Sequence, residues 1–580
     1  MNTPTARGPR ARYALETILT TAGLPYQLMY GMDAAMERGS VRCAYLVVGG
    51  RDDTEIDQLA RETAVVVLPN PCVDPGVTTE PDRNEERWLG HHRCHLHRRD
   101  APEQHGLAGG DRLVLDPAQF QMLEEQRGSG CLVRIGGDLV GGAFRLLARA
   151  EELEIVERDQ HGRFRWGSSL VQPKELAARP LVSEYVRLLV ASLEEACARA
   201  SLPIARLEAW PRGRPMAGCL THDVDVLSRG KLPRGIAVRD LRALLAAVGR
   251  GRLRTAASRA SSVARTAMNS VDPYWTFDRI SAMENRHGYR STYYFMAGHH
   301  HPEDGRYDLE EDRVRSLIAS LAGGGHEIAL HGSYASASDP ALLRELKDRL
   351  ERTTGLTVTG HRNHLLRFQV PHSWRAQESA GFSHDSTLGY HDREGFRGGN
   401  AFPFHPFDLE NDRALQLLEI PLAIMDVGLT KYRRLRGEGA LGALLFTLEQ
   451  ARSVGGLATI LWHNHTFYDP EYPGVGQLYS KALEWLEKND AHVATAGEID
   501  RWWRARSTAS LTPLAGWRAG WHLRTPIGTE GLVIRVTLPD PQLYLRVSGH
   551  TPITITRDEK AHLLEFGSLP SGFSMDIEIA

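Results

Sequence analysis

The spacing of hydrophobic residues divides the chain into three stretches, and the first ends near residue 200. Short apolar runs at 43–50 and 63–70 predict buried strands, and residues 141–154 repeat apolar positions at helical spacing. An amphipathic segment at 178–200 carries a proline near its start and predicts a helix that leads towards the next unit. We therefore expect an N-terminal α/β domain over residues 1–200.

From residue 205 to about 505, strand-like apolar runs alternate with helical segments. The predicted strands include the runs at 216–221, 290–296, 326–330, 356–361, 381–386, 415–420, 457–462 and 491–496. Repeated strand–helix units predict a parallel sheet, either open or closed into a (β/α) barrel.

The pattern changes again after residue 508. Short runs with alternating apolar and polar residues are separated by Gly, Pro and Asp turns. This alternation is typical of antiparallel strands with one buried face, so a small β-sandwich is expected over residues 508–580. No aromatic platform in it favours glycan binding over packing.

Length and charge narrow the class of protein. A chain of 580 residues is longer than one hydrophobic core usually serves, which agrees with three domains. The net charge of -3 and the pI of 6.8 give no general attraction to nucleic acid, so no nucleic-acid partner is expected. Because the sequence has neither a signal-peptide core nor a window of about 18 apolar residues, we expect a cytoplasmic protein.

Cysteines and histidines outside the central region do not form a recognisable metal motif. The six cysteines all lie within the first 220 residues and lack CxxC spacing, so reduced thiols are expected. The stretch "HHRCHLH" at 91–97 could bind metal, but it has no second half at zinc-finger spacing. A solvated loop is the favoured interpretation of this stretch.

Polar residues follow several of the predicted central strands. Because the carboxyl ends of parallel strands meet at one mouth of a barrel, side chains far apart in sequence would face one cavity there. Carboxylates and imidazoles in such a cavity suit a divalent metal with a neighbouring acid and base. The residues at these strand ends are Asp223, Asp225, His331, Arg362, His364, Asp426 and His463.

Four short motifs in this region resemble the polysaccharide deacetylase family, which includes chitin and peptidoglycan deacetylases. They are "THDVD" at 221–225, "GHEIALHGSYAS" at 325–336, "GHRNH" at 360–364 and "ILWH" at 460–463. The motif order also matches. The resemblance implies a distorted (β/α) barrel over residues 205–505, and "HGRF" at 161–164 resembles part of a leading domain found in one bacterial subgroup of the family.

The same resemblance implies a role for each matching residue. Asp223 would be the general base, Arg362 would orient that base, and His463 would be the catalytic acid. Asp225 and His331 would bind the metal, for which zinc is the expected ion. The implied activity is metal-dependent removal of an N-acetyl group from a sugar or a glycan precursor.

Two positions depart from the family pattern. The second metal-binding histidine of the family would stand four residues after His331, where this chain has Ala335. His364 is the nearest strand-end histidine able to substitute and would restore a two-His, one-carboxylate site. The alternatives are that His364 pairs with a backbone carbonyl, or that no metal binds.

The second departure is Leu388, where the family has an aspartate that tunes the catalytic histidine. Asp426 could supply that carboxylate from a neighbouring strand end, or it could be a helix N-cap. These departures support a different hypothesis, in which a catalytically degenerate protein binds a glycan precursor or organises other enzymes. His222 is expected to pack against a neighbouring loop, and His465 has only a weak claim to a role.

An arginine-rich insertion at 229–265 follows the first strand of the predicted barrel. Its basic and apolar residues could lie on an anionic membrane surface, or they could form a helical flap with a solvated basic face. The flap is the favoured interpretation. A cytoplasmic location would make a lipid-linked or nucleotide-linked sugar the accessible substrate, and arginine recognises the phosphate that either of them carries.

Overall fold

A computed structural model describes most of the chain. The described residues are 9–26, 44–48, 53–61, 63–68, 116–120, 122–171, 173–228, 272–514, 519–547, 554–558 and 561–580, with a few positions between 245 and 260. The histidine-rich stretch at 91–97 and most of the insertion at 229–265 lie outside these ranges. So do Cys43, Cys72 and Cys94, whereas Cys131, Cys197 and Cys219 are buried free thiols.

The N-terminal region contains a four-stranded sheet covered by helices. Its strands are β1 (Tyr45–Val48), β2 (Ala64–Leu68), β3 (Met122–Arg127) and β4 (Gly130–Ile135), and their order in the sheet is β1-β2-β4-β3. Its helices are α1 (Pro9–Ala22), α2 (Asp53–Ala60), α3 (Leu139–Leu147), α4 (Glu151–Glu154) and α5 (Leu181–Arg199). Strands β1, β2 and β4 are parallel, and β3 forms an antiparallel pair with β4.

The central region is built on a curled sheet of nine parallel strands. They are β6 (Ala217–Val224), β7 (Thr292–Met296), β8 (Glu327–Gly332), β9 (Gly360–Asn363), β10 (His384–Asp385), β13 (Leu418–Glu419), β14 (Leu422–Met425), β15 (Leu457–Leu461) and β16 (His492–Ala494). The order is β13-β10-β9-β8-β7-β6-β15-β14, and β16 also pairs with β6. A short antiparallel pair, β11 (Phe407–Asp408) and β12 (Arg413–Ala414), stands apart.

The two ends of this sheet come from one continuous segment. β13 pairs with β10, whereas β14 pairs with β15, and only Ile420 and Pro421 separate β13 from β14. The sheet therefore curls round, so that its two edge strands, β13 and β14, are consecutive in the chain. This curled parallel α/β sheet is the form that the alternating strand–helix pattern predicted.

Helices connect these strands and cover the sheet. They are α6 (Phe277–Asn285), α7 (Asp312–Gly323), α8 (Pro340–Thr354), α9 (His372–Ser379), α10 (Gly437–Ser453), α11 (Val475–Lys488) and α12 (Ala496–Thr508). Local sequence fixes several ends. The Asp339 side chain accepts hydrogen bonds from two backbone N–H groups at the start of α8, and Gly355 ends that helix with a φ of 71°.

The C-terminal region is antiparallel and borrows one strand from before the central sheet. Its strands are β17 (Ser510–Pro513), β18 (Gly520–Thr525), β19 (Thr529–Glu530), β20 (Val533–Thr537), β21 (Leu545–Val547), β22 (Thr554–Asp558), β23 (Ala561–Glu565), β24 (Ser568–Leu569) and β25 (Phe573–Ile579). Strand β5 (Ile204–Leu207) pairs with β20. A strand at the start of the predicted central region therefore completes a C-terminal sheet.

The three regions share buried contacts. One hydrophobic cluster runs from the N-terminal helices through the central sheet. The buried carboxylate of Glu152, in α4, accepts hydrogen bonds from Arg149 and from Arg397 of the central region. Among the described residues, no helix is long and apolar enough to cross a membrane.

Candidate functional site

The site begins at the end of β6, where the polar residues of "THDVD" leave the sheet. β6 is buried along its whole length. Asp223 remains buried on this strand, whereas Asp225 lies just beyond it with 18% of its side chain exposed. The first aspartate is therefore enclosed by the sheet, and the second stands at its open end.

Asp225 meets two histidines from neighbouring strand ends. Its Oδ1 lies 3.1 Å from His331 Nε2 and 3.4 Å from His364 Nδ1. The two imidazole nitrogens are 3.1 Å apart. His331 lies in β8 and His364 directly follows β9, so the parallel sheet brings the three predicted ligands together.

The remaining ring nitrogens determine which way each lone pair points. His331 Nδ1 donates to the carbonyl of Arg362 at 3.0 Å, and His364 Nε2 donates to the carbonyl of Glu303 at 3.0 Å. In the neutral rings, the nitrogens facing Asp225 are then acceptors. Such hydrogen bonds to the far nitrogen fix the tautomer and orientation of metal-binding histidines.

The donor set fits a divalent ion. Asp225 Oδ1 is buried without a hydrogen bond of good geometry, and one nitrogen of each imidazole faces it. Tetrahedral ligands at zinc bond lengths of about 2.0–2.1 Å lie roughly 3.3–3.4 Å apart. The observed separations are close to this value. Of the residues that the structure describes, these three alone form a group able to hold a metal ion.

The sequence left open whether His364 would bind a backbone carbonyl instead of a metal. The structure shows the backbone contact, because Nε2 donates to the carbonyl of Glu303. The other ring nitrogen, Nδ1, faces Asp225 and His331, so metal binding through Nδ1 stays a prediction. Ala335, where the family histidine would stand, carries no ligating atom and begins a short 3-10 turn. His364 thus supplies an imidazole that Ala335 cannot.

Arg362 holds Asp223 from inside the sheet. Its guanidinium donates to Asp223 Oδ1 at 2.9 Å and to Thr221 Oγ1 at 2.8 Å, and it lies 4.3 Å from the centre of the Tyr294 ring. Further hydrogen bonds reach the carbonyl and hydroxyl of Ser386. The arginine is fully buried, so a fixed positive charge stands beside the carboxylate predicted to be the base.

On the opposite side of Asp225 lies His463, two residues after β15. Its Nε2 is 3.5 Å from Asp225 Oδ2, and its Nδ1 is 2.7 Å from Asp426 Oδ1. Burial alone would lower the pKa of His463, but the Asp426 carboxylate outweighs burial and raises it to about 10. Asp426 therefore contacts the histidine that the sequence proposed it would tune.

Two other histidines differ in environment. His222 is fully buried, and its Nε2 donates to Glu284 at 2.8 Å while its Nδ1 donates to the Trp462 carbonyl at 2.7 Å. The expected packing against a neighbouring loop is thus too simple, because a buried carboxylate from α6 is its main partner. Burial, followed by the charge of His463, lowers the pKa of His465 to about 4.

Sequence reasoning missed Glu284, the Glu303 carbonyl, and the contacts of Arg163 and Arg367 around the turn after His364. A single glutamate in a helix and a backbone carbonyl carry no signal that points to one distant histidine. Leu388 is fully buried and offers no carboxylate to the site.

Comparison with known families covers the N-terminal third of the chain. A model described as "Family of unknown function (DUF7033)" matches residues 1–198. The search for curated relatives gave no match. Neither result bears on the residues of the candidate site.

The solved structures similar to this chain include proteins described as polysaccharide deacetylases. One from Mycobacterium smegmatis is 20% identical and covers 53% of this chain and 96% of its own, with a TM-score of 0.34. One from Pseudomonas aeruginosa PAO1 is 16% identical, with coverage of 51% and 93% and a TM-score of 0.34. A CE4 family pseudoenzyme from Bacillus anthracis is 11% identical, with coverage of 50% and 66% and a TM-score of 0.26. Likeness at this level carries no argument about activity.

Proposed function

We propose that the chain is a metal-dependent carbohydrate N-deacetylase. The observation that carries the proposal is the arrangement around Asp225. Two imidazole lone pairs face this carboxylate, and it is flanked by an arginine-paired aspartate and by an aspartate-paired histidine. Metal-assisted hydrolysis of an amide needs this combination of ligands, base and acid in one place.

The residues that would hold the ion are Asp225, His331 and His364. Zinc is the proposed metal, since two histidines and one carboxylate form a common catalytic zinc set with a position left open. When bound, the ion would polarise the acetamide carbonyl and make water more acidic.

Asp223 would accept the proton of the attacking water. The buried guanidinium of Arg362 donates to this carboxylate at 2.9 Å and so fixes its orientation. His463, protonated through its contact with Asp426, would donate a proton to the amine as the tetrahedral intermediate collapses. Acetate and a free amino sugar would be the products.

The proposed substrate is an N-acetylated sugar linked to a nucleotide or a lipid. Two features of the sequence support this substrate: it predicts a cytoplasmic protein, and the arginine-rich insertion could bind a phosphate. The insertion lies mostly outside the described residues, so its contribution is a prediction from the sequence.

Acetate release tests the proposal. Zinc-loaded protein, Asp223→Asn and His463→Ala would be assayed on a panel of N-acetylated nucleotide sugars, lipid-linked sugars and oligosaccharides. Each substitution should lower turnover by roughly 100- to 10,000-fold. Activity that survives both substitutions would contradict these roles. A zinc-loaded protein that releases no acetate yet binds a panel sugar would favour the degenerate, glycan-binding alternative.

A further inference from the structure

Two consecutive residues directly after His364 adopt a left-handed backbone. The φ angles are 59° at Leu365 and 52° at Leu366. A residue other than glycine is strained in this region and persists there only where its surroundings impose it. The contacts that impose this turn therefore also determine where His364 stands.

One of these contacts comes from the N-terminal region. Arg163 Nη1 donates to the carbonyl of Leu365 at 3.1 Å, and its Nη2 donates to the Tyr432 hydroxyl at 3.1 Å. The same guanidinium is fixed by Asp159, with Nε 2.8 Å and Nη2 2.7 Å from Oδ2. Both side chains are 5% exposed, so the pair is a buried clamp on the left-handed turn.

A second contact holds the other end of the turn. Arg367, the residue after Leu366, donates through Nε to the carbonyl of His161 at 2.9 Å. It also donates to the carbonyl of Tyr334 and lies with its guanidinium 3.9 Å from the centre of that ring. The segment 159–163 is therefore hydrogen-bonded to the turn at Leu365 and at Arg367.

The same contacts reach the loops that carry the other site groups. Tyr334 follows His331 by three residues, and its backbone N–H donates to Asp304 Oδ1 at 2.6 Å. The neighbouring residue, Glu303, provides the carbonyl that orients His364. Hydrogen bonds thus join the loops after β7, β8 and β9 to one another. Through Arg163 and Arg367, hydrogen bonds also join these loops to the N-terminal region.

We infer that the segment 159–163 is a positioning element for His364, with Arg163 as its principal positioning residue. The N-terminal region would then complete the metal site of the central sheet, although none of its residues is a proposed ligand. This inference rests on the proposed function, because it assigns a role towards the metal that Asp225, His331 and His364 would hold.

Zinc affinity of Arg163→Lys tests the inference without an activity assay. Lysine keeps a positive charge beside Asp159, but one ammonium group cannot also reach Leu365 and Tyr432 in the fork geometry of arginine. We expect zinc affinity, measured by competition with a chelator, to fall about 10- to 100-fold, as for other partners that orient metal ligands. Arg165→Lys, at an exposed position two residues after the segment, is the matched control and should keep the wild-type affinity.

Hydrogen exchange of the wild-type protein gives a second measurement, which does not depend on a variant that folds. Since coupling between two sites is reciprocal, zinc that needs an ordered 159–163 segment must also stabilise that segment. Zinc loading should slow amide exchange in peptides from 157–165 as well as from 361–368.

Each failure has a distinct meaning. A folded Arg163→Lys protein with unchanged zinc affinity, or exchange at 157–165 that does not respond to zinc, would overturn the positioning role while leaving the proposed metal site intact. A wild-type protein that binds no zinc would reject the metal site itself, and the positioning role with it.

Discussion

Asp426 binds both the ring and the backbone of His463. Its Oδ1 lies 2.7 Å from Nδ1 of the imidazole, and its Oδ2 accepts the backbone N–H of the same residue at 2.9 Å. Thr466 donates to Oδ2 as well, at 2.7 Å. The carboxylate is fully buried, so the histidine is held in one orientation with Nε2 directed towards Asp225.

Asp426→Asn should lower kcat far more than it changes KM. The amide keeps the size of the side chain but removes the charge that favours a protonated, correctly oriented imidazole. We expect kcat for acetate release to fall roughly 100- to 10,000-fold. Steady-state kinetics would be combined with zinc analysis, because a variant that has also lost its zinc would not report on His463. An unchanged kcat would show that Asp426 is only a structural partner.

His364→Ala should abolish stoichiometric zinc binding. The substitution removes one of three ligands and leaves Asp225 and His331, which are too few to hold a catalytic zinc ion firmly. Elemental analysis after dialysis would measure zinc per chain. His372→Ala changes a histidine whose side chain is 60% exposed and serves as the control. Retention of zinc with unchanged affinity by His364→Ala would mean that another residue replaces the histidine missing at Ala335.

Much of the central fold could be predicted because its signals are local. The apolar runs that precede Asp223, His331 and His463 each form a buried strand, and parallel strands must bring their ends together. The placement of Asp426 beside His463 also follows from neighbouring strand ends. These relationships need only strand order and direction, which the alternation of strands and helices provides.

Other contacts could not be predicted because they join segments far apart in sequence. Strand β5 pairs with β20, more than 300 residues later, and an alternating run of four residues does not specify its partner. Arg163 approaches Leu365 only after the N-terminal region packs on the central sheet. The strand predicted at 381–386 is also shorter in the structure, where β10 spans only His384–Asp385. The Asp385 side chain accepts hydrogen bonds from His361 and Thr387.

Glu152→Gln should strongly destabilise the protein. Glu152 is buried between Arg149 and Arg397, with N–O distances of 2.7 to 3.0 Å. Removing its charge leaves two buried guanidinium groups without their shared partner, which typically costs about 3–5 kcal/mol. Thermal unfolding would measure the effect. Glu154→Gln, at an exposed position of the same short helix, should change the stability very little.

The same carboxylate predicts a loss of stability in acid. Burial would raise the pKa of Glu152, but Arg397 and Arg149 outweigh burial and lower it from 4.5 to about 2 in the folded protein. A folded pKa below the unfolded one gives stability that is present above the unfolded pKa and is lost as the pH falls towards the folded pKa. The free energy of unfolding of the wild type should therefore drop between pH 4.5 and about 2.

Chemical denaturation at several pH values would test this dependence. Glu152→Gln lacks the titrating group, so its stability should fall less steeply than that of the wild type over the same interval. Parallel curves for the two proteins would show that other carboxylates account for the acid sensitivity.

Deleting the arginine-rich insertion should leave the central sheet folded. Ser228 directly precedes the insertion and Asp272 lies seven residues after it, and Ser228 Oγ donates to Asp272 Oδ2 at 2.6 Å. Because the flanking chain is held together in this way, a short Gly-Ser bridge can replace residues 229–265. We expect cooperative unfolding with a midpoint near that of the full chain, and zinc binding that is unchanged, since all three proposed ligands lie outside the deleted part. Activity on phosphate-linked sugars should fall more than activity on a neutral oligosaccharide, because the deleted arginines can no longer meet a phosphate. Loss of cooperative unfolding would show instead that the insertion packs as structural cover for the sheet.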